Sequence, residues 1–112
     1  MWLMTQHGFY SIVEKSPEVF HVRSRARRDL ENLVALLADK HDQPEILHTP
    51  HNDYPFRVIV GKYWIAGVVE FMVKSIDYSN FKDRVYSLPD QREKPYCQVW
   101  STMRYTAKEQ TQ

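Results

Sequence analysis

Hydrophobic residues in this chain change twice from alternate spacing to helical spacing, and no other feature restricts the possible folds as strongly. Alternation of apolar and polar residues is typical of a β-strand with one buried face. Apolar residues at i, i+3, i+4 and i+7 are typical of an amphipathic helix. A chain that carries both patterns needs a sheet covered by helices, so the spacing predicts a fold with both kinds of element.

The first alternating stretch predicts a β-hairpin. Residues 9–13 and 19–23 are rich in β-branched and aromatic side chains, and Ser16-Pro17 marks a turn between them. In this interpretation Trp2 to Met4 extends the first strand, with a bulge or bend at Gly8.

A second hairpin is predicted further along the chain. A short strand over residues 45–48 precedes a longer one over 54–60, and turn-forming residues fill positions 49–53. The predicted fold then depends on the helices that follow each hairpin along the chain.

Helical spacing follows each hairpin. Residues 27–40 form the clearest helix, with Ser24 as its predicted N-cap and with an apolar stripe of Leu30, Leu33, Val34 and Leu37. Further helices are predicted over residues 63–76, 81–86 and 95–107.

With the short helix over 81–86 left out, the resulting order is ββαββαα, which predicts an α+β two-layer sandwich. Its antiparallel sheet has helices on one face, which is ferredoxin-like in the broad sense. Because no linker rich in glycine or serine divides the chain, we expect one domain over residues 1–107 and a frayed polar tail over 108–112.

Composition excludes several classes of function. Cys97 is the only cysteine, so no disulfide can form within the chain and a reducing compartment, the cytoplasm, is expected. The first residues lack the pattern of a signal peptide, and no apolar run approaches the roughly 18 residues that span a bilayer, so no membrane partner is predicted. Only three glycines are present, which argues against a glycine-rich phosphate loop, and we predict no cofactor.

Charge is distributed unevenly along this nearly neutral chain. The formal net charge is +1, but the segment up to Arg28 has five cations and two carboxylates. Strand alternation turns Phe20, Val22, Phe56, Val58 and Val60 inward and leaves the basic residues of both strands on the opposite face. Either Phe9 or Tyr10 lies on that open face too, because neighbouring residues of a strand point to opposite faces.

These basic residues predict an anion-binding surface. A sheet face that combines arginines with an aromatic ring suits single-stranded nucleic acid, and arginines at a helix start suit phosphate. The predicted contact residues are His21, Arg23, Arg25, Arg27, Arg28, Arg57 and Tyr10. The alternative is an ordinary solvated face, with Asp29 and Glu31 as partners of the arginines. The aromatic-Gly-aromatic run of the common RNA-binding sheet is absent.

Two further functions stay open. Aromatic residues in the C-terminal half are either core or a patch that binds another protein or a second copy of the chain. His48, His51 and Asp53 are candidate ligands for a metal-dependent hydrolase, although Pro50 and Asn52 explain this segment as a tight turn. No catalytic constellation emerges from the sequence.

Several segments together resemble a group of small bacterial proteins of unassigned function. They are Trp2-Leu3-Met4-Thr5, residues 8–13, residues 22–25, residues 53–57, residues 77–82 and Val99-Trp100. The resemblance covers nearly the whole chain and implies a bacterial or phage origin. It implies no activity and no functional residue.

The leading prediction is therefore a non-enzymatic binding domain for nucleic acid or another anionic partner, such as an acidic protein surface. A protein-interaction module or homodimer, and a metal-dependent hydrolase, are the alternatives.

Overall fold

A computed structural model describes residues 1–37 and 43–111, without the side chain of residue 111. Its backbone forms two compact units, Met1–Ile76 and Asp77–Gln112. The single domain expected over residues 1–107 stays a prediction.

The described part of the chain is α+β, with a five-stranded antiparallel sheet and four helices. The strands are β1 (Trp2–Met4), β2 (Phe9–Ser16), β3 (Val19–Ser24), β4 (Leu47–His48) and β5 (Phe56–Gly61). The helices are α1 (Arg27–Val34), α2 (Lys62–Lys74), α3 (Phe81–Tyr86) and α4 (Glu93–Thr111). The strand order in the sheet is β1-β2-β3-β5-β4.

Both predicted hairpins are confirmed. Strands β2 and β3 pair antiparallel, and so do β4 and β5. The turn between β2 and β3 has Glu18 in the left-handed region, at φ 64°. A register shift between Glu14 and Ser16 makes a bulge at Lys15, and a bulge redirects the side chains around it.

Trp2–Met4 is a separate edge strand, so the prediction that it extends the first strand is wrong. Thr5 favours the turn by which the chain changes direction between β1 and β2. Its side-chain oxygen accepts hydrogen bonds from the backbone N–H groups of His7 and Gly8, at 3.0 and 3.1 Å. Such a local side-chain bond favours a turn over continued strand. The described elements therefore follow the order βββαββααα, and the ferredoxin-like order ββαββαα is not confirmed.

Helix α1 begins at the predicted residue but without the predicted cap. Its N-cap is Ala26, which makes no side-chain capping bond. Ser24 is instead the buried last residue of β3, and its hydroxyl donates to the Ala26 carbonyl at 2.6 Å. The helix ends at Val34 with Ala35 as its C-cap, so the predicted range 27–40 is too long. The predicted stop at 41–44 falls partly on residues 38–42, which lie outside the described residues.

The core of the first unit lies between one sheet face and helices α1 and α2. Val22, Val58 and Val60 face inward as predicted, and Phe20 and Phe56 are partly buried against the same cluster. The helices contribute Leu30, Leu33, Val34, Ile65, Val68 and Met72 to this core. Because both helices pack on this face, the polar residues of β3 and β5 are left on the other face.

The second unit contains α3 and α4. Asn80 caps α3 by accepting a hydrogen bond from the Asp83 N–H at 3.0 Å. Helix α4 begins two residues before Pro95, which is tolerated in a first turn that needs few donors, and continues beyond Ala107. Fraying of residues 108–112 stays a prediction. Among the described helices, none is both long enough and apolar enough to cross a bilayer.

Candidate anion-binding site

Strand register places two arginines side by side on the sheet face opposite α1 and α2. Arg23 of β3 pairs with Arg57 of β5, and its other neighbour is Ser11 of β2. Ser11 in turn pairs with Trp2 of β1. One row across four strands therefore consists of Trp2, Ser11, Arg23 and Arg57. We call it the basic row.

Both arginines of the basic row are held by neutral partners. Arg23 Nη2 donates to Ser11 Oγ at 2.7 Å, and Arg57 Nη1 lies 3.2 Å from His21 Nδ1. Within residues 1–37 and 43–111, no carboxylate forms an ion pair with either guanidinium. The Nε atoms of both arginines are buried and have no hydrogen-bond partner in the described structure. Buried donors without a partner are rare in folded proteins.

A cleft of about 440 Å³ opens over these two residues. Its lining consists of Lys15, Arg23, Arg57, Asn52, Asp53 and Tyr54. Three cations and one carboxylate give the lining a net positive charge. The volume lies in the range of sites that hold small ligands.

The loop between β4 and β5 forms one wall of the cleft. Thr49 closes the loop by donating from its backbone N–H to the Pro55 carbonyl at 2.7 Å, and Asn52 donates to the Thr49 carbonyl at 3.1 Å. These bonds confirm that residues 49–53 form a turn. The loop positions Asn52 and Asp53 at the rim, where they supply a hydrogen-bond donor and an acceptor.

The ring of Tyr54 orients two guanidinium groups. Arg23 lies 4.9 Å and Arg25 lies 4.7 Å from the ring centroid. Cations at this distance are attracted to the face of an aromatic ring. Tyr54 is buried, so its ring is a fixed contact for Arg23 and for the exposed Arg25 beside the cleft.

His21 is neutral at its contact with Arg57. Burial, and then the positive charges of Arg57, Lys15 and Arg23, lower the pKa of His21 from its ordinary value of 6.5. A guanidinium can only donate, so Nδ1 accepts the bond from Arg57 and the ring carries no charge. The positive charge that faces the cleft therefore comes from the two arginines and Lys15.

This lowered pKa predicts how stability changes with pH. Below pH 6.5 the unfolded chain takes up a proton at His21 before the folded chain does. We expect the free energy of unfolding of the wild type to decrease more than that of His21→Gln between about pH 7 and about pH 5. Urea unfolding measures both, and glutamine keeps an acceptor for Arg57. Equal losses in the two proteins would contradict the assignment of a neutral His21.

The structure brings together only part of the predicted contact set. His21, Arg23 and Arg57 meet on the open face, and Arg25 joins them through Tyr54. Tyr10 is wrong as a contact residue because its side chain is fully buried in the core, where its hydroxyl donates to the Asp29 carbonyl at 2.6 Å. The open face carries its neighbour Phe9 instead.

Arg27 and Arg28 lie apart from the cleft, at the exposed start of α1. Arg27 lies 3.5 Å from Glu31 in an exposed i, i+4 pair. Asp29 already supplies negative charge to the first turn, where the helix dipole favours it. The observations that indicate an anion site thus concern the sheet face alone.

Four residues of this surface were missed in the sequence. The place of Lys15 was not predictable from alternation, because both faces of β2 carry apolar residues and a bulge interrupts the strand at Lys15. The place of Trp2 was not predictable either, because it depends on the pairing of a third strand. Asn52 and Tyr54 belong to a loop whose path over the sheet no local pattern encodes.

The candidate metal ligands are not brought together. Strand pairing puts His48 beside Phe56, and the two rings stack with centroids 4.8 Å apart. Asp53 lines the cleft on the other side of the sheet. Among the described residues, no three His, Cys, Asp or Glu side chains are arranged to hold a metal ion.

Comparisons with protein-family models, with curated proteins and with solved structures found no match to this chain.

Proposed function

We propose that this chain is a non-enzymatic binding domain that holds phosphate groups of an anionic partner in the cleft formed by Lys15, Arg23 and Arg57. The single observation that carries this proposal is the pair of adjacent arginines that line one cleft and form no ion pair with a carboxylate among the described residues. A cytoplasmic location, expected from the lone cysteine, is part of the proposal.

An anion resolves an unfavourable arrangement of charge. Arg23 and Arg57 are neighbours across two strands, and like charges directly opposite each other in a sheet are destabilising. Among the described residues no carboxylate lies against either guanidinium to offset this repulsion. Phosphate oxygens can accept from guanidinium N–H groups that face the cleft, and such charge-assisted bonds are roughly twice as strong as neutral ones.

The arrangement favours binding over catalysis. Tyr54 and Ser11 fix Arg23, and the acceptor atom of His21 is occupied by Arg57. This leaves fixed donors that face the cleft, together with one carboxylate at the rim. Fixed donors of this kind bind an anion without further reorganisation.

The proposal is tested with inorganic polyphosphate, which carries phosphates but no bases. We expect the double variant Arg23→Gln/Arg57→Gln to bind it about 100-fold more weakly, because a hydrogen bond to a charged group contributes about 1.5–3 kcal/mol. Lys15→Gln should weaken binding by a smaller factor, since Lys15 is exposed. Isothermal titration calorimetry at fixed salt measures all three affinities.

Lys74→Gln is the matched control. Lys74 is an exposed lysine of α2 that pairs with Glu70 at 2.7 Å, away from the cleft, and its loss changes the net charge as the loss of Lys15 does. Equal affinities for wild type, Lys15→Gln and the folded double variant would overturn the proposal. If Lys15→Gln and Lys74→Gln lowered the affinity for polyphosphate equally, binding would be general charge attraction and not a specific site.

A protein-interaction module or homodimer is the second candidate, and one observation favours it. Val99, Trp100, Met103 and Tyr105 are large exposed residues of α4. Trp100 is partly shielded, since Lys82 Nζ lies 3.9 Å and the Arg104 guanidinium 5.4 Å from its ring centroid. Sedimentation equilibrium at high protein concentration distinguishes a homodimer from a monomer.

A further inference from the structure

We infer that the anionic partner is single-stranded nucleic acid and that Trp2 is the platform on which one of its bases stacks, an inference that rests on the proposed function. The observation behind it is the position of an exposed tryptophan in the same cross-strand row as the two arginines.

The indole ring of Trp2 is both exposed and held in place. Its side chain is 73% exposed, the largest value for any tryptophan or phenylalanine among the exposed hydrophobic residues of the described structure. The strand under it is fixed, because Trp2 pairs with Ser11 and the Ile12 N–H donates to the Met1 carbonyl at 2.8 Å. Phe9 supports one edge of the ring, with centroids 6.1 Å apart and planes at 56°. The other side of the ring faces solvent.

The spacing of the ring and the cations suits a nucleotide strand. Adjacent strands lie about 4.8 Å apart, so the backbones of Trp2 and Arg23 are separated by about 10 Å. At this distance, a phosphate in the cleft and a base on Trp2 can belong to nearby nucleotides of one nucleic-acid strand. Proteins that bind single strands combine cations for the backbone with aromatic rings for the bases.

The exposed ring of Trp2 favours a nucleic acid over an acidic protein as the partner, because a base can stack on it. Asp53 repels phosphates and carboxylates alike, so it does not decide between the two partners. A nucleotide carries N–H and O–H donors besides its phosphates, and Asp53 can accept from these. Asn52 beside it can both donate and accept. A mixed lining of this kind favours a ligand that is anionic and polar.

A single strand is favoured over a duplex. In a duplex the bases are stacked and paired, so the ring of Trp2 cannot stack on them. We therefore expect binding to depend on unpaired bases.

The test uses single-stranded oligonucleotides of about 12 nucleotides, RNA and DNA, beside the matching duplex and polyphosphate. We expect Trp2→Ala to weaken binding to the single strands about tenfold or more and to leave polyphosphate binding unchanged. Trp2→Phe should keep most of the affinity because it keeps a ring. Stacking should quench tryptophan fluorescence in the wild type, and this quenching should be lost in Trp2→Phe.

Tyr63→Ala is the matched control. Tyr63 is 80% exposed on α2, on the other side of the sheet, so its loss should change neither affinity nor quenching. Equal single-strand affinity for Trp2→Ala and wild type would overturn the inference, and so would equal affinity for duplex and single strand. Tighter binding of polyglutamate than of either oligonucleotide would assign the surface to an acidic protein. Loss of polyphosphate binding in the arginine variants, with no effect of Trp2→Ala, would keep the proposed function and remove only this inference.

Discussion

Gly8→Ala should lower the free energy of unfolding by about 3 kcal/mol, the upper part of the range for overpacked sites. A Cβ atom at Gly8 would lie 2.5 Å from Cβ and 2.6 Å from Cγ of Asp29, and 2.8 Å from the hydroxyl of Tyr10. These neighbours cannot move away easily. The Asp29 carboxylate accepts a hydrogen bond from the Phe9 N–H at 3.1 Å. The backbone carbonyl of Asp29 accepts one from the Tyr10 hydroxyl. The glycine is thus needed where the β1–β2 connection meets α1.

Urea unfolding measures this change, and Gly67→Ala is its control. Apart from its chain neighbours and the backbone of its own helix, no atom lies within 4 Å of a Cβ placed at Gly67, which is exposed in the middle of α2. Alanine there should stabilise the helix by about 0.5–1 kcal/mol, because glycine is a poor helix former. If Gly8→Ala and Gly67→Ala changed the free energy of unfolding in the same direction, the close approach at Gly8 would not explain the effect of Gly8→Ala.

Tyr10→Ala should have an effect of similar or larger size, about 3–5 kcal/mol. Tyr10 is the largest fully buried side chain of the core, and its removal leaves a cavity between the sheet and α1. Tyr10→Phe keeps the ring and loses only the hydroxyl bond to Asp29, so we expect a loss of about 1 kcal/mol. Such changes are large against the 5–15 kcal/mol that stabilise a typical domain.

The variant Tyr10→Phe also tests whether Tyr10 takes part in binding. Because its ring lies on the covered face, folded Tyr10→Phe should bind polyphosphate and oligonucleotides as the wild type does. Titration calorimetry and denaturant unfolding of the same preparation give both values. A weaker affinity at unchanged stability would return Tyr10 to the contact surface that the sequence predicted for it.

The error at Tyr10 shows where strand alternation is ambiguous. In β2, Phe9 and Val13 lie on one face and Tyr10 and Ile12 on the other, so both faces are apolar. Alternation alone cannot say which face is inward. In β3 and β5 one face is apolar, and the other carries His21, Arg23 and Arg57 beside the apolar Ile59. There the prediction that Val22, Val58 and Val60 face inward is confirmed. Local pattern was sufficient only where the two faces differed in polarity.

The positions of the helices and hairpins follow from sequence because hydrophobic periodicity and turn chemistry act over a few neighbouring residues. The same local geometry determines that Arg23 and Arg57 point away from Val22 and Val58. Tertiary structure decided the rest. Only the pairing of β3 with β5 makes the two arginines neighbours, and only a third strand brings Trp2 into their row. The path of the β4–β5 loop closes the cleft with Tyr54, since contacts between distant segments depend on register and packing that no local pattern encodes.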